Sequence, residues 1–176
     1  MLKVFLVIAV LVIIGLGSVL AYAATKPDAF AVQRTATINA PADRIMPLID
    51  DLRAMGRWNP FEKDPEAKRT LSGAERGKGA TYTWDGNREM GAGRIQITDA
   101  TATRVAMTLD MSRPFEAHNV VEFTLTPNGS GTNVTWQMKG EQPYLGKVMS
   151  TFIDCDKMVG SSFEQGLAKL KAIAEQ

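Results

Sequence analysis

The chain has one cysteine, Cys155, and one histidine, His118, in 176 residues. A single cysteine excludes an intrachain disulfide and a Cys-based metal site. One histidine leaves no HExxH or other paired-ligand spacing, so the sequence calls for no metal. It calls for no cofactor either. No glycine-rich phosphate loop precedes a helix: "GAERGKGA", Gly73 to Ala80, lacks the GxxxxGK[ST] spacing and leads into a strand pattern, so it reads as a turn. There is no GxSxG nucleophile elbow. A net charge of +1 argues against a nucleic-acid footprint or strong attraction to anionic lipid. Aromatic residues make up only 7% of the chain, which makes the pair Trp58 and Phe61 in "RWNPFEKDP" a local concentration.

Charge is absent altogether from Val4 to Ala24, "VFLVIAVLVIIGLGSVLAYAA". As a helix this run is about 32 Å long, enough for a bilayer core of about 30 Å. Two readings fit. One is an uncleaved signal anchor. The other is a secretory signal peptide cut near Ala23, since Ala21-Tyr22-Ala23 has the small-x-small form and Lys3 gives a basic n-region. The apolar stretch Val4–Leu20 exceeds the usual h-region of about 7–15 residues, which favours the anchor. Lys3 and the free amine favour the cytoplasmic side, so the rest of the chain lies outside the cytoplasm, in the periplasm if the cell is bacterial. If the segment is cleaved, the product is a soluble periplasmic or secreted protein. The chain therefore divides into residues 1–29, an anchor and short linker, and residues 30–176, one ordinary domain.

The domain opens with a strand pattern from Phe30 to Ile38. "NAPADRIMPLIDDL" follows, with Pro41 at a helix start and Asp43 in the first turn. Pro47 predicts a short or bent helix. From Ala67 the period is two. Tyr82 and Trp84, Ile95 and Ile97, Met107 and Met111, Val121 and Phe123, and Trp136 and Met138 each share a face, with polar residues opposite. Such alternation marks an antiparallel sheet with one packed face. "DGN", "SRP" and "PNGSG" supply the turns. After Tyr144 the spacing is helical, and Met149, Phe152, Ile153, Val159, Phe163, Leu167, Leu170 and Ile173 form one stripe. The order predicts an α+β fold in which six to seven strands curve around one long C-terminal helix.

Any catalytic scheme needing a histidine passes through His118, whose parity opposes that of Val121 and Phe123 and points it away from the packed face; a bulge near Pro114 would reverse this. Arg34 shares the inward parity of Val32 and reads as a buried, paired charge. Tyr82 completes the set of proton-handling candidates. The apolar inventory is richer: Trp58, Phe61, Tyr82, Trp84, Met107, Met111, Phe123, Trp136, Met138, Met149 and Phe152 are the candidate ligand-binding residues. Methionine adapts to exchangeable contents, although a plain packed core has the same pattern. Trp58 reads as core closure, and Phe61 as the ring that reaches a pocket mouth.

"FAVQRTATINAPADRIMPLIDDL", "RWNPF", "GKGATYTWDGN", "GAGRIQIT", "RPFEAHN", "GTNVTWQMKG" and "DKMVGSSFEQGLAKLK" occur in that order from Phe30 onward. This set resembles the polyketide cyclase/dehydrase branch of the START-like, or SRPBCC, superfamily. The resemblance implies a helix-grip fold of the START/Bet v 1 type, with a deep hydrophobic pocket between sheet and helix. It implies binding of a lipid or another hydrophobic small molecule. It also allows a cyclase/dehydrase-type enzyme on a polyketide-like substrate, or a chaperone-like interaction module without a ligand. Because this fold hosts many functions, the site has to decide among them.

Overall fold

The computed structural model describes residues 2–176. The apolar run forms helix α1 (Leu2–Ala24), which stands clear of the rest of the chain until its last turn. Strand β1 (Ala29–Ile38) follows after a linker of residues 25–28. Two short helices come next, α2 (Ala42–Ile49), short as Pro47 predicts, and α3 (Leu52–Met55). Pro47 lies inside α2. Asp51 caps α3 by accepting from the Arg53 and Ala54 backbone N–H groups.

Among the described residues a seven-stranded sheet then forms: β2 (Lys68–Ser72), β3 (Thr81–Asp85), β4 (Ala92–Ala100), β5 (Arg104–Arg113), β6 (Ala117–Asn128) and β7 (Gly131–Glu141) join β1. The order is β1-β7-β6-β5-β4-β3-β2, antiparallel throughout. The chain thus crosses from one edge strand to the other through α2 and α3, and zigzags back. The alternation did not mark β2 as a strand of its own, because both of its faces are exposed. Its Lys68 and Arg69 suit an edge that must not recruit another strand.

The helical stripe at the C-terminus is broken. Helix α4 (Tyr144–Met149) ends before residues 150–154, and the long helix α5 (Cys155–Ala174) begins beyond them. Asp154 explains the restart: its carboxylate accepts from the Lys157 backbone N–H at 2.9 Å, an N-cap worth about 1 kcal/mol. Helix α5 lies in the concave face of the sheet. Two glycines let it approach: a Cβ at Gly166 would come within 2.8 Å of the Trp136 ring, and one at Gly160 within 2.0 Å of the Arg34 guanidinium.

The space between sheet and α5 is not filled evenly. At the end of the sheet that holds Ile38, Ile97, Val105, Leu125 and Val134, the side chains pack against Leu167 and Leu170 into a closed core. Trp58 joins it, 1% exposed, with its indole N–H donating to the Leu48 carbonyl at 2.8 Å. That bond satisfies a carbonyl in the last turn of α2, where intrahelical donors run out. The opposite end, where β3, β5 and β7 finish, is hollow.

Candidate ligand cavity

The hollow is a cavity of about 300 Å³. Its sheet wall carries Tyr82 and Trp84 from β3, Leu109 and Met111 from β5, Asn119, Val121 and Phe123 from β6, and Trp136 and Met138 from β7. These residues line up because the register pairs Met107 with Val121, Val121 with Met138 and Phe123 with Trp136, so inward positions stack across strands. Helix α5 supplies Val159 and Phe163, and the segment after α3 supplies Asn59, Phe61 and Glu62. Aromatic packing sets the floor. Trp136 stacks on Phe163 with ring centres 4.0 Å apart, and Trp58 and Phe61 meet Trp136 edge-on at 5.6 and 6.4 Å. The rim is charged. Lys63 and Glu89 both line the cavity and pair at 2.8 Å, linking the segment after α3 to the β3–β4 turn.

One polar network enters the apolar wall. The Tyr82 hydroxyl donates to Glu62 Oε1 at 2.6 Å, and Arg69 holds the other carboxylate oxygen at 3.0 Å. The Glu62 side chain is only 14% exposed. Partial burial, and then the adjacent carboxylate, push the Tyr82 phenol well above its ordinary range, and Glu62 raises Arg69 likewise. Tyr82 therefore keeps its proton at neutral pH and serves as a donor, not a base. Two further wall atoms, Asn119 Oδ1 and Trp136 Nε1, are buried without a hydrogen-bond partner.

The structure places the candidate residues in three groups. Phe61, Tyr82, Trp84, Met111, Phe123, Trp136 and Met138 stand in the cavity wall. Trp58 and Met107 are in the closed core and outside the lining. Met149 and Phe152 are corrections: both lie on the outer surface, because the helix containing the predicted stripe ends at Met149 and Asp154 starts a new one. Of the proton-handling candidates, Arg34 runs beneath Gly160 and pairs with Asp156 at 3.0 Å and Glu164 at 2.7 Å, which raise its pKa further. It fastens β1 to α5 and does not reach the cavity. His118 is on the outer face, with its Nδ1 2.7 Å from Asp110 Oδ1, beside an open depression of about 600 Å³ that includes Arg94 and Arg113. The β4–β5 register skips Ser112, close to Pro114, but the β5–β6 register runs unbroken from Ala117 to Thr124, so the opposed parity of His118 to Val121 and Phe123 holds. Glu62 and Asn119 join the wall without being among the candidates named from the sequence. Asn119 carried a usable signal, since it shares the parity of Val121 and Phe123.

Asp110 sets an expected pH response. It raises the His118 pKa above the ordinary 6.5, so the pair contributes fully below about pH 6.5 and is lost as pH rises through the higher folded value. Proton NMR of the single imidazole should give a raised pKa in the native protein and a lower one after Asp110→Asn. An unchanged pKa in that variant would show that the contact is not formed.

A curved sheet closed by a C-terminal helix around an apolar, ligand-sized cavity defines a Bet v 1-like helix-grip domain. The sequence profile described as "Polyketide cyclase / dehydrase and lipid transport" matches residues 29–175, and the chain belongs to that family. No functionally curated protein matches it. Solved structures of the same fold include the Mll3558 protein from Rhizobium loti, 20% identical over 82% of this chain and 96% of that one, with a TM-score of 0.59. The Aha1 dimer from Colwellia psychrerythraea is 14% identical over 83% and 96%, with a TM-score of 0.58. Ara h 8.0201 is 11% identical over 83% and 97%, with a TM-score of 0.57.

Proposed function

We propose that residues 30–176 bind a hydrophobic small molecule or lipid in the cavity, and that residues 1–29 tether this domain to a membrane with the domain outside the cytoplasm. The observation that carries the reading is the cavity itself. Its volume of about 300 Å³ is at the lower end of small-molecule sites, about 300–1,000 Å³, and its wall is apolar with a few convergent polar groups. The lipid-transport description of the family supports it. The apolar helix α1 supports the tether. Tyr82 and Glu62 would orient one polar end of the ligand, and a group reaching Asn119 Oδ1 or Trp136 Nε1 would relieve an unmade hydrogen bond that costs about 1–3 kcal/mol.

A second reading, a cyclase or dehydrase acting on a polyketide-like substrate, keeps one of its three named residues. Tyr82 faces the cavity, now with Glu62 as its partner; His118 and Arg34 do not. Native mass spectrometry of the full chain released from mild detergent tests binding. A co-released apolar molecule, or uptake from a lipid panel, supports it. A bare protein that takes up nothing from that panel contradicts it.

A further inference from the structure

The hollow end of the domain and the membrane helix lie together. Helix α1 ends beside the start of β1 and the end of β7, where the Gln142 backbone N–H donates to the Asp28 carbonyl at 2.7 Å. The cavity lies at this same end of the sheet: its lining takes Glu89 and Met90 from the β3–β4 turn and Pro114 from the β5–β6 turn. The domain cannot swing far from α1. Residues 25–28 span at most about 14 Å. They are also held, because Lys26 Nζ donates to the Ser150 carbonyl at 2.6 Å and Lys147 pairs with Asp28. The Tyr144 hydroxyl donates to the Leu20 carbonyl at 2.9 Å, which docks α4 on the last turn of α1.

Large apolar side chains are exposed at that end. Phe152 is 72% exposed, Leu145 and Phe115 64%, Met158 58% and Ile153 44%. They come from α4, the α4–α5 corner, the first turn of α5 and the β5–β6 turn, so no single element requires them. Exposed apolar clusters of this kind mark interaction sites. The occupant follows from continuity: if α1 spans a bilayer, the surface around its last turn meets that bilayer's interface.

We infer that the hollow end of the domain docks on the membrane that holds α1, with the α4–α5 corner inserted in the interface and the cavity mouth turned toward the lipid. An apolar ligand then passes between bilayer and cavity without crossing bulk water. This inference rests on the proposed membrane anchor.

Cys155, the lone cysteine, is half-buried at the start of α5 and serves as a native reporter. The full chain, labelled there with NBD and reconstituted into phosphatidylcholine–phosphatidylglycerol nanodiscs containing nitroxide lipid, tests the geometry. Two reference labels use a Cys155→Ser background: Ile13→Cys within α1, and Ser130→Cys at the β6–β7 turn. The latter lies about 33 Å along β7 from the membrane end. Interfacial apolar residues sit about 5–10 Å into the headgroup–acyl boundary. Quenching is therefore expected at Ile13→Cys and Cys155 and not at Ser130→Cys, and Leu145→Ser with Phe152→Ser should reduce it at Cys155 alone. Quenching at Ile13→Cys with Cys155 as unquenched as Ser130→Cys would overturn the docking and leave the anchor standing. No quenching at Ile13→Cys would remove the anchor and the docking with it. Equal quenching at all three sites would overturn the orientation.

Discussion

Trp58→Ala is expected to destabilise the fold by about 3–5 kcal/mol, the range for removing a fully buried large aromatic. Three losses coincide. The ring is 1% exposed, it packs edge-on against Phe123 and Trp136, and its N–H satisfies the Leu48 carbonyl. Its neighbour in the same motif should behave differently. Phe61 is 39% exposed and meets Trp136 and Phe163 at 6.4 Å, so Phe61→Ala should lower stability by only about 1–2 kcal/mol and weaken binding of an apolar ligand. Urea unfolding followed by far-ultraviolet circular dichroism, beside a binding titration, separates the two. Equal losses of stability would contradict this division of labour.

Replacing Glu62 with leucine is expected to lower stability by about 2–3 kcal/mol, because the Tyr82 hydroxyl and the Arg69 guanidinium both lose a charged acceptor at a half-buried site. Glu62→Gln keeps an acceptor for Tyr82 and should be milder. A double-mutant cycle between Glu62→Gln and Tyr82→Phe should give a coupling of about 1 kcal/mol, since the residues are in direct contact. The phenol titration gives an independent readout. With burial and then Glu62 raising the Tyr82 pKa, the ultraviolet phenolate signal assigned by difference with Tyr82→Phe should appear above the ordinary pH 10, and Glu62→Gln should move it down. The stabilising contribution of the neutral phenol is complete below about pH 10 and is lost as pH rises through the higher folded value. No change in that titration on substituting Glu62 would mean that the hydrogen bond is absent.

Much of the fold was legible because periodicity reports which face is buried. The alternation through Tyr82/Trp84, Val121/Phe123 and Trp136/Met138 put those residues on the face that the structure shows. His118 was placed correctly by parity alone. The break before α5 was not legible, since Met149, Phe152 and Ile153 continue a helical spacing and only the capping geometry of Asp154 reveals the restart. Those residues are apolar for another reason, which the proposed membrane docking supplies. Parity also could not separate Met107 from Met111: both face inward, but one lies at the packed end of the sheet and the other at the hollow end. Glu62 was hidden because sequence patterning treats a lone carboxylate in a loop as solvated. Only the structure brings it against Tyr82.

Adjacent valines test whether the cavity takes up an apolar molecule. Val121 lines the cavity, whereas Val120 points to the outer face and is 52% exposed. Energy transfer from tryptophan to dansyl-undecanoic acid reads uptake in the full-length protein. Val121→Phe is expected to weaken binding at least about tenfold, roughly 1.4 kcal/mol, while Val120→Phe binds like the wild type. Wild-type binding by a folded Val121→Phe variant would contradict uptake by the cavity.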